Sequence, residues 1–366
     1  MKLLDNEKKI FEIIPQKMVD ILYDFPKQFK IAENVIRKLK LSFDRKYKNA
    51  LILGVGNSSN TAYRLIYSIE INRSKIPIVL FSKATIPSWV NEDTLVVAVC
   101  HSGNSNEVLT AVDKVLELGV EVIAVTAGGK LKAKAMDNKN IRLISYEADI
   151  ISRMAVGYIY VFLVNILNKA GALDICSDRK ECLVGIDWDE VENAIFELSR
   201  ELGPDIKTYK NVAKKTAVNL FNNIPVIYGS NSLTGAVSFR LKNQICMNSN
   251  NFAHFNTLPE MDHGEIAAWE MKYELRNKFF VLFITDKDSK ISTIRRVEIL
   301  KGILIEKGIN FEEIILEGPS DAVKGFAGIF LADWISIYMA ALNNVDPTKS
   351  KLLDLMKSRF ERRSSL

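Results

Sequence analysis

Residues 95–129, LVVAVCHSGNSNEVLTAVDKVLELGVEVIAVTAGG, decide how this chain folds. The β-branched run over 95–99 reads as a buried strand, and it stops abruptly at Cys100-His101-Ser102-Gly103-Asn104-Ser105-Asn106-Glu107. Beyond that patch, Val108, Leu109, Val112, Val115, Leu116 and Leu118 recur at helical spacing, which predicts a helix starting near Ser105 and a further strand over 120–125. The polar patch is therefore a strand-to-helix turn. Cys100, Ser102 and Ser105 crowd there with His101 and Gly103 at a helix N-terminus, where unpaired amides and the helix dipole favour an anion. A capped helix with Ser105 as its cap explains one serine. The density of polar groups at the carboxyl end of a strand, where open α/β sheets bind ligands, points instead to a phosphate seat.

At 366 residues the chain can build two domains with sizeable cores. Its 48% hydrophobic and 25% charged residues are ordinary for a globular protein. The net charge of +5 suits an anionic substrate, but no basic block with interleaved aromatics marks a nucleic-acid partner. The first residues are charged where a signal peptide would be apolar, and the longest apolar run, 154–164, is too short to span a bilayer. No membrane association is expected. Cysteines at 100, 176, 182 and 246 show no CxxC spacing, and scattered thiols of this kind fit a reduced, cytoplasmic protein, with a Cys176–Cys182 disulfide left open.

In chain order, residues 1–45 read as a helical segment packed outside a sheet, with Pro15 and Pro26 as punctuation. Strands are expected over 50–56, 76–81, 95–99, 120–125 and 141–145, with helices between them, so 46–172 is an α/β domain with a parallel sheet covered on both faces. A long apolar helix over 151–170 closes it. Aperiodic sequence over 172–187 marks the boundary to a second domain, 186–366, with strands over 224–229, 279–284 and 311–316 and helices to the end. Residues 51–69, LILGVGNSSNTAYRLIYSI, and 226–244, VIYGSNSLTGAVSFRLKNQ, both run strand, Gly/Ser/Asn turn, then helix with Arg-Leu. Two copies of one doubly wound, flavodoxin-like fold follow. The second copy carries Thr285-Asp286-Lys287-Asp288 where the first has its seat, so one phosphate site per chain is expected.

Three histidines occur, His101, His254 and His263, all in or near polar clusters. The second cluster, 248–269, NSNNFAHFNTLPEMDHGEIAAW, reads as an aperiodic loop leading to a helix capped by Asp262. No HxH or HExxH spacing supports a metal, and no cofactor is called for.

These stretches together resemble the bifunctional phosphoglucose/phosphomannose isomerase family, built on the sugar isomerase (SIS) fold. The marks are Gly54-Val55-Gly56-Asn57-Ser58, the 100–107 stretch CHSGNSNE, 126–131 TAGGKL, 152–158 SRMAVGY, 258–263 LPEMDH, and Val345-Asp346-Pro347 followed by Leu355-Met356-Lys357. The resemblance implies an aldose/ketose 6-phosphate isomerase working through a cis-enediol on glucose 6-phosphate, mannose 6-phosphate and fructose 6-phosphate. It implies that Cys100, Ser102 and Ser105 hold the phosphate, and that Gly56, Asn57 and Ser58 approach the sugar. Arg153 is implied to stabilise the enediolate, His263 to open the ring, and Lys357 to contact the sugar, in a homodimer with the site near its interface. Four positions depart from the family pattern: Cys100 replaces a Ser, Asn57 and Asn344 each replace a Gly, and Met247 falls where the family's proton-shuttling Glu stands. Glu260, Asp262, Glu265 and His254 are the nearby groups able to substitute. The rival readings are a phosphosugar-binding protein or regulator without a base, favoured by Met247, and an SIS enzyme on an amino-sugar phosphate, favoured by Cys100 and Asn57.

Overall fold

The computed structural model describes residues 2–39, 41–147, 149–175 and 186–364. The chain forms two units, one made of Asp24–Asn193 and the other of Met1–Tyr23 with Ala194–Leu366. The N-terminal segment is thus shared. Helices α1 (Glu7–Ile13) and α2 (Gln16–Tyr23) go with one unit and α3 (Lys27–Lys38) with the other, the breaks falling at Pro15 and Pro26. Cys176 and Cys182 lie outside the described residues, while Cys100 and Cys246 are unpaired thiols.

The unit Asp24–Asn193 is built on five parallel strands, β1 (Asn49–Gly54), β2 (Ile78–Phe81), β3 (Thr94–Val99), β4 (Val122–Thr126) and β5 (Ile141–Ser145), in the order β2-β1-β3-β4-β5. That is the flavodoxin-like order expected from the strand-helix alternation. All six residues of β3 are buried, as an apolar run with helices on both faces requires. On one face α5 (Asn106–Glu117) and α6 (Gly129–Asp137) pack through Val108, Val112, Val115 and Leu131 onto Leu51, Val96 and Ala124. The helices outside that cluster, α4 (Asn57–Glu70) and α7 (Val156–Lys169), pack against each other, with α3 lying on α7. The apolar stretch expected as one helix over 151–170 is divided: Ser152–Met154 is a separate 3-10 turn, and α7 begins after Ala155, whose φ of −84° and ψ of 21° leave the helical region.

The second unit repeats the pattern with one strand fewer. Helices α8 (Trp188–Leu202) and α9 (Val212–Leu220) lead to β6 (Ile224–Ser230), β7 (His254–Leu258), β8 (Phe279–Asp286) and β9 (Phe311–Leu316), ordered β7-β6-β8-β9 and wholly parallel. Strand β7 falls in the stretch read as a loop. HFNTL has no apolar run and is an edge strand with only Leu258 fully buried, so periodicity carries no signal for it. Helix α10 (Leu233–Ser249) lies on the face of Phe255 and Thr257, and α12 (Ile291–Glu306) on the face of Val226, Tyr228 and Leu258.

Among the described residues one helix, α13 (Asp321–Leu342), is long and apolar enough to cross a bilayer, and most of it is buried, packed against α9 and α10. Between α10 and α13 runs a buried polar ladder. Arg240 donates through Nε and Nη2 to both carboxylate oxygens of Asp333 at 2.8 Å, Gln244 Nε2 donates to Asp333 Oδ1 at 2.8 Å, and Asn248 Nδ2 donates to Ser336 Oγ at 2.8 Å. Helix α14 (Lys351–Ser364) follows.

Candidate functional site

The turn after β3 is held from behind by the turn after β4. Gly103 N donates to Cys100 O at 3.0 Å, Ala127 N to His101 O at 3.0 Å and Leu131 N to Gly103 O at 2.9 Å. Asn104 Oδ1 accepts Lys130 N at 3.1 Å, so this side chain serves the first turn of α6 and not α5. The approach is close enough to require glycine. A Cβ on Gly103, at φ +68°, would sit 1.8 Å from Gly128 O, and one on Gly129, also at φ +68°, would sit 2.2 Å from Ser102 O.

Ser105 is the N-cap residue of α5, but its side chain makes no cap bond. The buried Cys100 thiol donates to Ser105 Oγ at 3.3 Å, and the Ser105 amide donates to the sulfur at 3.5 Å. Cys100 therefore fills the inside of the turn as a weak hydrogen-bonding group. The first-turn amides of α5 are left without a side-chain acceptor and face an exposed Ser102 and a half-buried Ser105. Such a turn can take a phosphate on amides and hydroxyls together.

Beside it, Gly56 is the N-cap residue of α4, with φ +95° and open space where a Cβ would stand, so backbone conformation alone asks for glycine. Asn57 Oδ1 accepts Thr61 Oγ1 at 3.1 Å. Ser58 is buried and donates to Ser152 O at 2.5 Å. His101 Nε2 donates to Ile150 O at 3.2 Å, which leaves Nδ1 to accept the Tyr146 hydroxyl at 2.9 Å. Burial holds the His101 pKa below its usual value, in keeping with a neutral ring. Arg153, 8% exposed, lies three residues past Ile150. Thus Gly56, Asn57, Ser58, Cys100, Ser102, Ser105 and Arg153 all belong to one unit, and hydrogen bonds link the seat loop to the Arg153 turn.

His263, Lys357 and Met247 belong to the other unit. His263 is exposed at the end of a 3-10 turn, Glu260–His263, whose N-cap is Pro259 after a cis Leu258–Pro259 bond. Asp262 does not cap a helix; it lies inside that turn and pairs with Arg296 at 2.5 Å. Lys357 is exposed on α14, and Met247 is half-buried near the end of α10.

A second polar cluster surrounds Glu265. Tyr228 OH donates to its Oε1 at 2.6 Å, Asn256 Nδ2 to its Oε2 at 2.6 Å, and His254 Nε2 lies 2.8 Å from the same oxygen; Trp269 Nε1 donates to the Tyr228 hydroxyl at 3.2 Å. Burial pushes the Glu265 pKa up, but the bonds from Tyr228, Asn256 and His254 outweigh it and hold the carboxyl below its ordinary value. Asn256 pairs with Tyr228 in register and shares its α12 face, as does His254, so this cluster and Met247 of α10 lie on opposite faces of the sheet. At the end of β8, where the first unit has its seat, Lys324 Nζ instead binds Asp286 at 3.1 Å, Asp288 at 2.8 Å and Asp321 at 3.2 Å. Among the described residues no group of three or more His, Cys, Asp or Glu side chains is arranged to hold a metal.

A family model for the bacterial phospho-glucose isomerase C-terminal SIS domain matches residues 209–360. The bifunctional phosphoglucose/phosphomannose isomerase of Caldicellulosiruptor bescii is 28% identical over 346 residues, 94% of this chain and 98% of that protein. The D-glucosamine-6-phosphate 4-epimerase of Sulfolobus acidocaldarius is 28% identical over 272 residues, 74% of this chain and 77% of that protein. Among solved structures, a hypothetical protein of Thermus thermophilus matches with a TM-score of 0.72 at 15% identity, over 96% of this chain and 91% of that one.

Proposed function

We propose that this chain, a homologue of the bifunctional phosphoglucose/phosphomannose isomerases over most of its length, is a sugar-phosphate isomerase interconverting aldose and ketose 6-phosphates. The observation that carries the reading is the turn 100–107: uncapped first-turn amides of α5 with Ser102 and Ser105, linked through His101 to the segment bearing a buried arginine. In this reading the phosphate sits on that turn with Cys100 behind it, and the sugar extends past Gly56 and Asn57. Ring opening, assigned to His263, frees the carbonyl. A base removes the proton from one of C1 and C2 and returns it to the other. The negative charge that develops on oxygen in the enediolate falls to the Arg153 guanidinium, a fixed, permanently charged partner. Lys357 contributes a cation from α14. The protein works as a cytoplasmic homodimer with the site near the subunit interface.

The proton carrier is the open element. Met247 cannot transfer a proton, and a positioned base contributes about 10²- to 10⁴-fold. Of the substitutes, Asp262 is tied to Arg296, and His254 and Glu265 are bonded to each other on the sheet face opposite Met247. The similarity to a glucosamine-6-phosphate 4-epimerase favours one second reading, an SIS enzyme acting on an amino-sugar phosphate. Product formation by ¹H NMR from fructose 6-phosphate, mannose 6-phosphate and glucosamine 6-phosphate decides between them. Aldoses appearing from fructose 6-phosphate support the isomerase, and turnover of the amino sugar alone replaces it with the second reading. Saturable binding of all three without product leaves a regulator.

A further inference from the structure

Arg153 stands on a single 3-10 turn, and a turn of three residues does not by itself hold a guanidinium still. Three alternate carbonyls around it are each taken by a side chain from a different part of the unit. His101 Nε2 donates to Ile150 O at 3.2 Å, Ser58 Oγ to Ser152 O at 2.5 Å, and Gln28 Nε2 to Met154 O at 2.9 Å. Gln28 then turns its Oε1 to the amides of Gly157 and Tyr158 at 3.1 and 3.3 Å, closing the first turn of α7. Gln28 and Ser58 are 3% and 5% exposed, so their bonds do not compete with water.

We infer that Gln28, Ser58 and His101 form a clamp that positions Arg153 against the phosphate seat, which makes them positioning residues for the isomerisation. The inference rests on the role given to Arg153 above. Each bond acts on the backbone of the arginine turn, and His101 is also the neighbour of Ser102, so the seat and the guanidinium share one frame. Ser58 accordingly serves the turn, not the sugar. Because the enediolate forms only during the reaction, a loosened arginine lowers kcat while leaving phosphate capture intact.

The test compares Ser58→Ala, Ser58→Thr and His101→Asn in the parent and in an Arg153→Ala background, reading kcat and KM for fructose 6-phosphate, Kd for inorganic phosphate, and the Arg153 Nε–H resonance. The clamp predicts that Ser58→Ala and His101→Asn lower kcat about 10- to 100-fold, the scale of a misplacement near 1 Å, with phosphate Kd within twofold of the parent. It predicts that Ser58→Thr restores the rate and that both losses vanish once Arg153 is alanine. The Arg153 Nε–H signal broadens in Ser58→Ala whether or not turnover is measurable. A Ser58→Ala loss that persists in the Arg153→Ala background, a phosphate Kd that weakens as much as kcat falls, or an unaltered Nε–H signal overturns the clamp alone. Arg153→Ala turning over at the parent rate overturns the role of Arg153 and the clamp with it.

Discussion

Replacing Gly103 with alanine tests whether the seat is built by two turns pressed back to back. The new Cβ would stand 1.8 Å from Gly128 O and 2.7 Å from Gly128 C, both backbone atoms, so the turns must separate by more than 1 Å. Three hydrogen bonds span that contact: Ala127 N to His101 O, Leu131 N to Gly103 O, and Lys130 N to Asn104 Oδ1. At about 0.5–1.5 kcal/mol each, their loss costs roughly 1.5–4.5 kcal/mol. Holding an L residue at φ +68° adds about 1–2 kcal/mol. Gly119, just past α5, isolates the second contribution, since it has φ +73° and open space where a Cβ would stand. Gly119→Ala should therefore lose about 1–2 kcal/mol and Gly103→Ala about 1.5–4.5 kcal/mol more. Hydrogen exchange of the α5 and α6 peptides suits a two-unit chain, because it reports local opening without a two-state assumption. Losses equal within about 0.5 kcal/mol, or an unchanged phosphate affinity in Gly103→Ala, would refute the back-to-back seat.

Asp333→Ala removes the carboxylate paired with the fully buried Arg240 guanidinium and should cost about 3–5 kcal/mol by urea unfolding, whereas Asp24→Ala, which breaks an exposed pair with Lys27, should stay within about 0.5 kcal/mol. Lys214 is buried with its ammonium donating to Leu4 O, Pro204 O and Ile206 O at 2.6–2.8 Å, and burial lowers its pKa to about 8. The folded chain then releases this proton before the unfolded chain does, so stability due to Lys214 rises between pH 8 and the unfolded pKa near 10.5. Lys214→Met should remove that rise in thermal scans, and a parent profile that falls relative to the variant over this window contradicts the assignment. Cys100→Ser exchanges a weak donor for a strong one at the same place and should bind inorganic phosphate at least as tightly by calorimetry, while Ser105→Ala should bind it about tenfold more weakly.

The parallel order of both sheets, and the turn after β3, were legible because apolar runs alternate with helical spacing and the turn chemistry is concentrated in eight residues. What the pattern hid is physical in each case. Strand β7 is a half-buried edge carrying His254 and Asn256, so it reads as loop. Asn104 looks like part of the seat but caps α6, a partner 26 residues away. Gln28 sits in an ordinary amphipathic helix, and nothing local announces that it binds Met154 and α7. The break at Ala155 follows the apolar pattern without a proline or glycine to mark it, because side chains of other elements claim the carbonyls of the turn. Long-range hydrogen bonding leaves no periodic trace.

The most direct measurement is isotope exchange: fructose 6-phosphate incubated with the protein in D₂O, with deuterium followed at C1 and C2 alongside glucose 6-phosphate and mannose 6-phosphate. The account predicts label and both aldoses with the parent chain, and neither with Arg153→Ala. Saturable fructose 6-phosphate binding with no label in the parent would contradict it, since the seat would then hold a phosphosugar that the chain cannot deprotonate.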